Sequence, residues 1–173
     1  MKKIKQYDKK ISKFLTISKK VFKNKKKNFI FHNIKTFDYV TILAKTTNSK
    51  FPLLFQYRHT FQKYFFELPG GLVDSKKNIS KIIKDELYEE TGLKSNLKPK
   101  LVGKIYPDIG RMENMLWVFY LDKCKRSLKW KNEEKIKTKF LSKKEIFNLI
   151  KSNKFNSSVH LSAILLCLLK KYL

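Results

Sequence analysis

The chain has 173 residues, 42% of them apolar, and 40 Lys and Arg face only 14 Asp and Glu, for a formal net charge of +26. That length and apolar content suit one domain with a real core and exclude a disordered chain. The excess charge is nearly all lysine, the arginines being Arg58, Arg111 and Arg126. Base-reading proteins favour the planar arginine fork. The charge therefore reads as compositional drift in a chain rich in Lys, Asn, Ile and Phe, and a nucleic-acid partner is disfavoured. A positive field still attracts any phosphate-bearing substrate. Cys124 and Cys167 have neither disulfide nor zinc spacing, which fits a reducing, cytoplasmic setting. No signal-peptide core is present, and the longest apolar run, "LSAILLCLL" (161–169), is too short to span a bilayer. It reads as a buried helix, with no membrane partner, and with Cys167 in the core.

In chain order, residues 1–27 are lysine-rich with scattered apolar positions. They read either as a strand or hairpin turning at "KNKKKN" or as a partly ordered basic arm. Residues 28–173 read as the main domain. "NFIFHNIKTFDYVTILAKT" (28–46) predicts one or two strands, and "FPLLFQYRH" (51–59) another. "KYFFELPGGLVD" (63–74) predicts a short strand running into a Pro-Gly-Gly loop. A helix follows, capped by Asn78 or Ser75, with Ile79, Ile82, Ile83 and Leu87 as its apolar stripe and Gly92 at its left-handed end. "KLVGKIYPDIG" and "NMLWVFYLDKC" come next, the second a strong strand signal, then the strand "IKTKFLS" (136–142). Ser142 and Glu145 form a capping-box pattern at the next helix, and a last helix covers about 157–172. This order predicts an α/β (α+β) fold, a mixed sheet with helices on both sides.

The stretch "KDELYEETGL" (84–93) crowds Asp85, Glu86, Glu89 and Glu90 into six positions of a chain short of carboxylates. On a helix Glu86 and Glu90 continue the isoleucine stripe, so the core-facing side turns from apolar to acidic. The acids lie near the helix C-terminus, the unfavourable end for negative charge. Such a cluster suits a hard divalent cation, Mg²⁺ or Mn²⁺, and a solvated helix end is the competing reading. Gly70 and Gly71, just upstream, let the backbone approach closely, and a carbonyl there would complete a metal shell.

The stretch "GLVDSKKNISKIIKDELYEETGL" (71–93) resembles the box of the Nudix hydrolases. Seven of the nine specified positions match: Gly71, Glu86, Leu87, Glu89, Glu90, Gly92 and Leu93. Lys77 stands where the first Glu belongs and Asp85 replaces the Arg, a double sign reversal that suggests a swapped ion pair. "PLLFQYRHTFQKYFFELPGGLVD" and "IYPDIGRMENMLWVFYLDK" are similar to flanking segments of the ADP-ribose and nucleoside-diphosphate-sugar pyrophosphatase branch. The closing section from "NEEK" onward is also similar to that branch, so the resemblance covers roughly residues 10–170.

The resemblance implies an α/β/α sandwich and Mg²⁺-dependent hydrolysis of a nucleoside-diphosphate sugar. ADP-ribose is the first candidate, giving AMP and ribose 5-phosphate. Glu86 and Glu90 would be the main metal ligands, with Glu89 a further ligand or the base, and the Gly70 carbonyl beside them. Glu134 or Glu133 would be the distal catalytic acid, or plain solvated acids of a surface turn. Arg58 would grip a diphosphate, or pair with Glu67 at a strand end; Glu67 would hold the loop or reach the ribose or base. Arg111 and Glu113 would contact the terminal sugar, or belong to a plain turn. His32, His59 and His160 read as structural or surface, and Trp117 and Trp130 as packing residues. The resemblance also implies a homodimer that exchanges N-terminal strands. Competing readings are a Nudix-like binding module without hydrolysis and an enzyme acting on RNA 5′ ends.

Overall fold

A computed structural model describes residues 1–73, 78–132 and 136–173. Strands β1 (Lys2–Lys10), β2 (Thr16–Asn24) and β3 (Lys27–Lys35) form an antiparallel meander of their own. The β2–β3 turn falls in "KNKKKN", as the hairpin reading predicts, with Lys25 in the left-handed region at φ 51°. The sheet runs on through Lys35, because β3 pairs with β2 from end to end. Residues 28–35, on the main-domain side of the compositional boundary, thus pair with strand β2 of the lysine-rich segment.

The central sheet has the order β7–β4–β10–β8, with β9 also on β10. Its strands are β4 (Tyr39–Thr46), β7 (Gly70–Leu72), β8 (Leu93–Lys94), β9 (Lys100–Ile105) and β10 (Leu116–Arg126). The Pro-Gly-Gly stretch is therefore not a loop: Gly70 and Gly71 pair with Thr41 and Val40. β4 and β10 are parallel neighbours. Such strands are buried on both faces and read as continuous apolar runs. On β4, Val40, Ile42 and Ala44 pack toward α1 (Ile79–Thr91), while Leu43 joins the core under α2 (Lys143–Lys151) and α3 (Ser158–Leu169). β10 alternates likewise, with Leu116, Val118 and Tyr120 on one side and Phe119 and Leu121 on the other. Cys167 lies in the core as expected.

A third sheet, β11–β5–β6, comprises β5 (Phe51–Arg58), β6 (Lys63–Glu67) and β11 (Lys137–Leu141). The helix signals act as read. The Asn78 side chain accepts from Ser80 N, Gly92 closes α1 at φ 74°, and Ser142 with Glu145 forms the full capping box of α2. The result is an α/β/α sandwich with α1 on one face and α2 and α3 on the other. Among the described residues no helix is long and apolar enough to cross a membrane.

Candidate active site

α1 delivers its acids according to helical spacing. Ile82, Ile83 and Leu87 fill the core, Glu90 follows them in at 7% exposure, and Glu89 turns outward. Glu86 and Glu90, one turn apart, both face the glycine pair of β7. The Gly70 amide donates to Glu90 Oε2 at 2.9 Å, so it is the N–H of Gly70 that meets the cluster. A Cβ on Gly71 would sit 2.2 Å from Glu86 Cδ, and one on Gly70 would sit 2.0 Å from the Val40 carbonyl oxygen.

These two contacts separate two substitutions. Gly71→Ala meets only the end of a flexible side chain, so the fold survives while the Glu86 carboxylate is displaced. Gly70→Ala meets backbone and destabilises the strand pair itself. Thermal melts should show a small shift for Gly71→Ala and a loss of several degrees for Gly70→Ala, on the order of 1–3 kcal/mol. An unshifted melt for Gly70→Ala would contradict this packing.

A cavity of about 490 Å³ opens beside the Gly70–Gly71 strand, bounded by Arg58, Glu67, Glu90, Asn114, His160 and the aromatic pair Phe37 and Tyr39. The alternative of an Arg58–Glu67 ion pair, raised by the sequence, is realised. Arg58 Nε donates to Glu67 Oε1 at 2.7 Å and Nη2 donates to Oε2. His160 adds a contact, Nε2 lying 3.5 Å from Glu67 Oε2, while its Nδ1 accepts from Leu68 N at 3.4 Å. Burial pushes the Glu67 carboxyl up, but the hydrogen bonds and charges of Arg58 and His160 outweigh it and hold the group down at about 2. The hydrogen bonds that Arg58 donates to Glu67 keep its guanidinium firmly charged against the opposing effect of burial, and the charges of Glu67 and Glu90 add to them. The Arg58–Glu67 ion pair thus lines the same cavity as Glu90.

Arg111 and Glu113 take a different place from their neighbours. Ile34 N donates to the Arg111 carbonyl at 2.7 Å, Glu113 N donates to the Ile34 carbonyl at 2.9 Å, and the Glu113 carboxylate pairs with Lys20 at 2.6 Å. This loop therefore stitches the N-terminal meander to the main domain. Met112 and Asn114, not Arg111 and Glu113, line the cavity. Asp108 Oδ1 accepts from the amides of Gly110 and Arg111, the turn anticipated there.

Two cavity residues escaped the sequence reading. His160 lies 92 positions from Leu68, and nothing in its helical setting marks it out. Asn114 is 3% exposed, donates through Nδ2 to Phe37 O at 3.3 Å, and leaves Oδ1 without a partner among the described residues. A buried amide oxygen of this kind is a ready acceptor for a ligand. Trp117 packs on the α1 core and donates to Asp38, and Trp130 donates to the Glu89 carbonyl, so both serve packing. Glu133, Glu134, Ser75 and the Lys77 half of the proposed swapped pair lie outside the described residues.

Among the described residues no three His, Cys, Asp or Glu side chains converge as a ready-made metal cluster. The donor chemistry nevertheless fits Mg²⁺, which commonly takes one or two carboxylates and keeps water and substrate phosphate in its remaining positions. Glu86 and Glu90, flanking a glycine pair at the mouth of a cavity, supply such a set.

This architecture, with a glutamate helix laid on a glycine strand, is a Nudix-type fold. A solved structure described as an ADP compounds hydrolase matches it with a TM-score of 0.81 at 16% identity, covering 99% of this chain and 94% of that one. A segment of 70 residues, 40% of the chain, is 36% identical to the ADP-ribose pyrophosphatase of Mycobacterium tuberculosis (strain ATCC 25618 / H37Rv) and spans 34% of that protein's length. No protein-family model matches the chain. The chain thus has a Nudix-type fold and a segment similar to an ADP-ribose pyrophosphatase.

Proposed function

We propose that this protein hydrolyses the pyrophosphate linkage of a nucleoside-diphosphate sugar, with ADP-ribose the first candidate substrate. The observation that carries the reading is the approach of Glu86 and Glu90 to the Gly70–Gly71 strand beside a cavity that also holds Arg58. Water adds to one phosphorus, the bridging P–O bond breaks, and AMP and ribose 5-phosphate leave. Glu86 and Glu90 would hold Mg²⁺ or Mn²⁺, with the Gly70 N–H fixing the Glu90 carboxylate. When bound, the metal neutralises charge that develops on the phosphoryl oxygens. Arg58, aimed by Glu67, turns its remaining N–H donors toward the diphosphate. Asn114 Oδ1 accepts from the sugar or base, and Phe37 and Tyr39 supply the flat wall. Glu89, or Glu133 or Glu134 on the loop before β11, takes the proton from the attacking water. The test is to incubate the protein with ADP-ribose and Mg²⁺ and to follow AMP by chromatography. AMP that disappears with chelator supports the reading. Binding of ADP-ribose without turnover, repeated across other nucleoside-diphosphate sugars, would replace it with a binding module.

The proposal includes a homodimer. The β1–β3 meander leaves apolar side chains uncovered on both faces, among them Tyr7, Ile17, Ile30 and Phe31. Large apolar side chains exposed in this number on one small sheet call for a partner. Sedimentation should report a dimer, and Ile30→Glu, at a position 53% exposed, should yield monomers with unchanged helix content. A monomeric wild type would remove the homodimer from the reading.

A further inference from the structure

The sheet β11–β5–β6 carries the catalytic wall on one face, through Gln56, Arg58 and Glu67. Its opposite face carries a row of rings. Phe55 stands opposite Phe66 and Tyr57 opposite Tyr64 in the β5–β6 register. Phe55 stacks on Tyr64 with centroids 4.9 Å apart and an interplanar angle of 17°. Phe66 lies 4.7 Å from Phe55, and Tyr57 meets Tyr64 edge-on at 5.3 Å. The inner ring, Phe66, is buried in the core, whereas Tyr57 and Tyr64 are 39% and 50% exposed.

Phe55, Tyr64 and Phe66 line a groove of about 480 Å³ between the sheet and the connection from α2 to α3, and Tyr57 continues the row beyond it, edge-on to Tyr64. Lysines stand on both of its sides: Lys137 and Lys139 from β11, Lys154 from the connection. Among the described residues no acidic side chain lines it. Lys139 Nζ lies 5.5 Å from the Phe55 ring and 5.3 Å from the Phe66 ring, and Lys137 Nζ lies 5.9 Å from that of Tyr64. Three ammonium groups with no described carboxylate among them repel one another, and the open groove favours a ligand that brings negative charge. The exposed tyrosine faces select one that also brings flat rings. An acidic peptide satisfies the first demand and not the second. A strand of nucleotides satisfies both, because successive bases stack on aromatics while the backbone tracks a basic groove. The row of rings is longer than one base, which favours a strand over a mononucleotide.

We infer that this groove binds a single-stranded nucleic-acid segment, with one base on Tyr64, the next on Tyr57 just beyond the groove, and phosphates against Lys137, Lys139 and Lys154. The inference does not rest on hydrolysis at the other face. Composition argued against a nucleic-acid partner because arginine is scarce; sequence-tolerant stacking needs no arginine fork, only rings and positive charge.

Because the whole chain is basic, the test must separate this groove from the general field. Anisotropy of a labelled single-stranded oligonucleotide of about ten nucleotides is measured near 0.15 M salt. Tyr64→Leu, which leaves the charge untouched, should weaken binding by about tenfold. Tyr106→Leu, at an exposed ring far from the groove, should leave it unchanged. The pair Lys139→Gln and Lys154→Gln should weaken binding more than the charge-matched pair Lys144→Gln and Lys151→Gln on the exposed side of α2. Equal affinity for wild type and Tyr64→Leu, equal losses for the two lysine pairs, or no binding at all would overturn the inference. So would a change in sedimentation caused by Tyr64→Leu alone, which would assign the face to a second copy of the chain.

Discussion

Replacing Glu90 with Gln should lower AMP release from ADP-ribose by at least about 10²–10³-fold, the scale seen when one preorganised electrostatic group is lost from a transition state. The amide is isosteric and keeps an oxygen for the Gly70 N–H, now 2.9 Å from Glu90 Oε2. What it loses is the charge, and with it a hard anionic ligand. The fold should barely register the change. Glu90 is 7% exposed and sits in the last turn of α1, where carbonyl oxygens point outward and negative charge is disfavoured. A neutral side chain is at least as well accommodated there, so the melting temperature should stay level or rise, as when a strained functional site is relaxed. Two readouts therefore move in opposite senses, which distinguishes a functional carboxylate from a structural one. A variant that unfolds, or one that keeps full activity, would remove Glu90 from the site.

Arg58→Ala should destabilise the protein by about 2 kcal/mol near neutral pH, below the range for a fully buried pair because the arginine is half exposed. The asymmetry of the pair sets the size: the Glu67 side chain is 10% exposed and that of Arg58 is 49% exposed. Removing the arginine strands a buried carboxylate with His160 as its neighbour. Removing Glu67 instead leaves a guanidinium that water can reach, so Glu67→Ala should cost less. The pH dependence follows from the sign of the shift. The folded carboxyl is held at about 2, below its ordinary value of 4.5, because Arg58 and His160 outweigh the effect of burial. A depressed carboxyl contributes stability that is full above the unfolded value and lost as pH falls through the folded one. The gap between wild type and Arg58→Ala should thus be constant above about pH 5 and narrow steadily toward pH 2. Denaturant titrations across that range measure it; a gap that holds constant into acid would mean that the pair contributes nothing. Hydrolysis should respond as well, with a raised KM, since the same guanidinium faces the cavity.

Much of the site was legible because its signals are local. The box spacing places Glu86 and Glu90 on the side of α1 that carries Ile82, Ile83 and Leu87, and the caps Asn78 and Gly92 bracket that helix. The alternating burial of β4 and β10 follows from their unbroken apolar runs. Where the reading diverged, the cause was pairing across distance. The Pro-Gly-Gly stretch looked like a loop because glycine punctuates chains, yet β4 takes it up as a neighbouring strand. Arg111 and Glu113 read as sugar contacts or as a plain turn, two readings that the sequence left open. The docking of Ile34 onto that loop turns Met112 and Asn114 toward the cavity and gives Glu113 to Lys20.

The sequence by itself determined the class of fold, the acidic helix and the chemistry its carboxylates suit. Helical and strand periods, caps and box spacing act over a few residues and survive in any context. Only the tertiary structure decided between the two readings of Arg58, recruited His160 from α3 and buried Asn114 beside the cavity. It alone set the rings of β5 and β6 opposite the lysines of β11 and the α2–α3 connection. Those contacts depend on strand register and on how the layers close over one another. Residues tens of positions apart carry no mark of that closure until the core has formed.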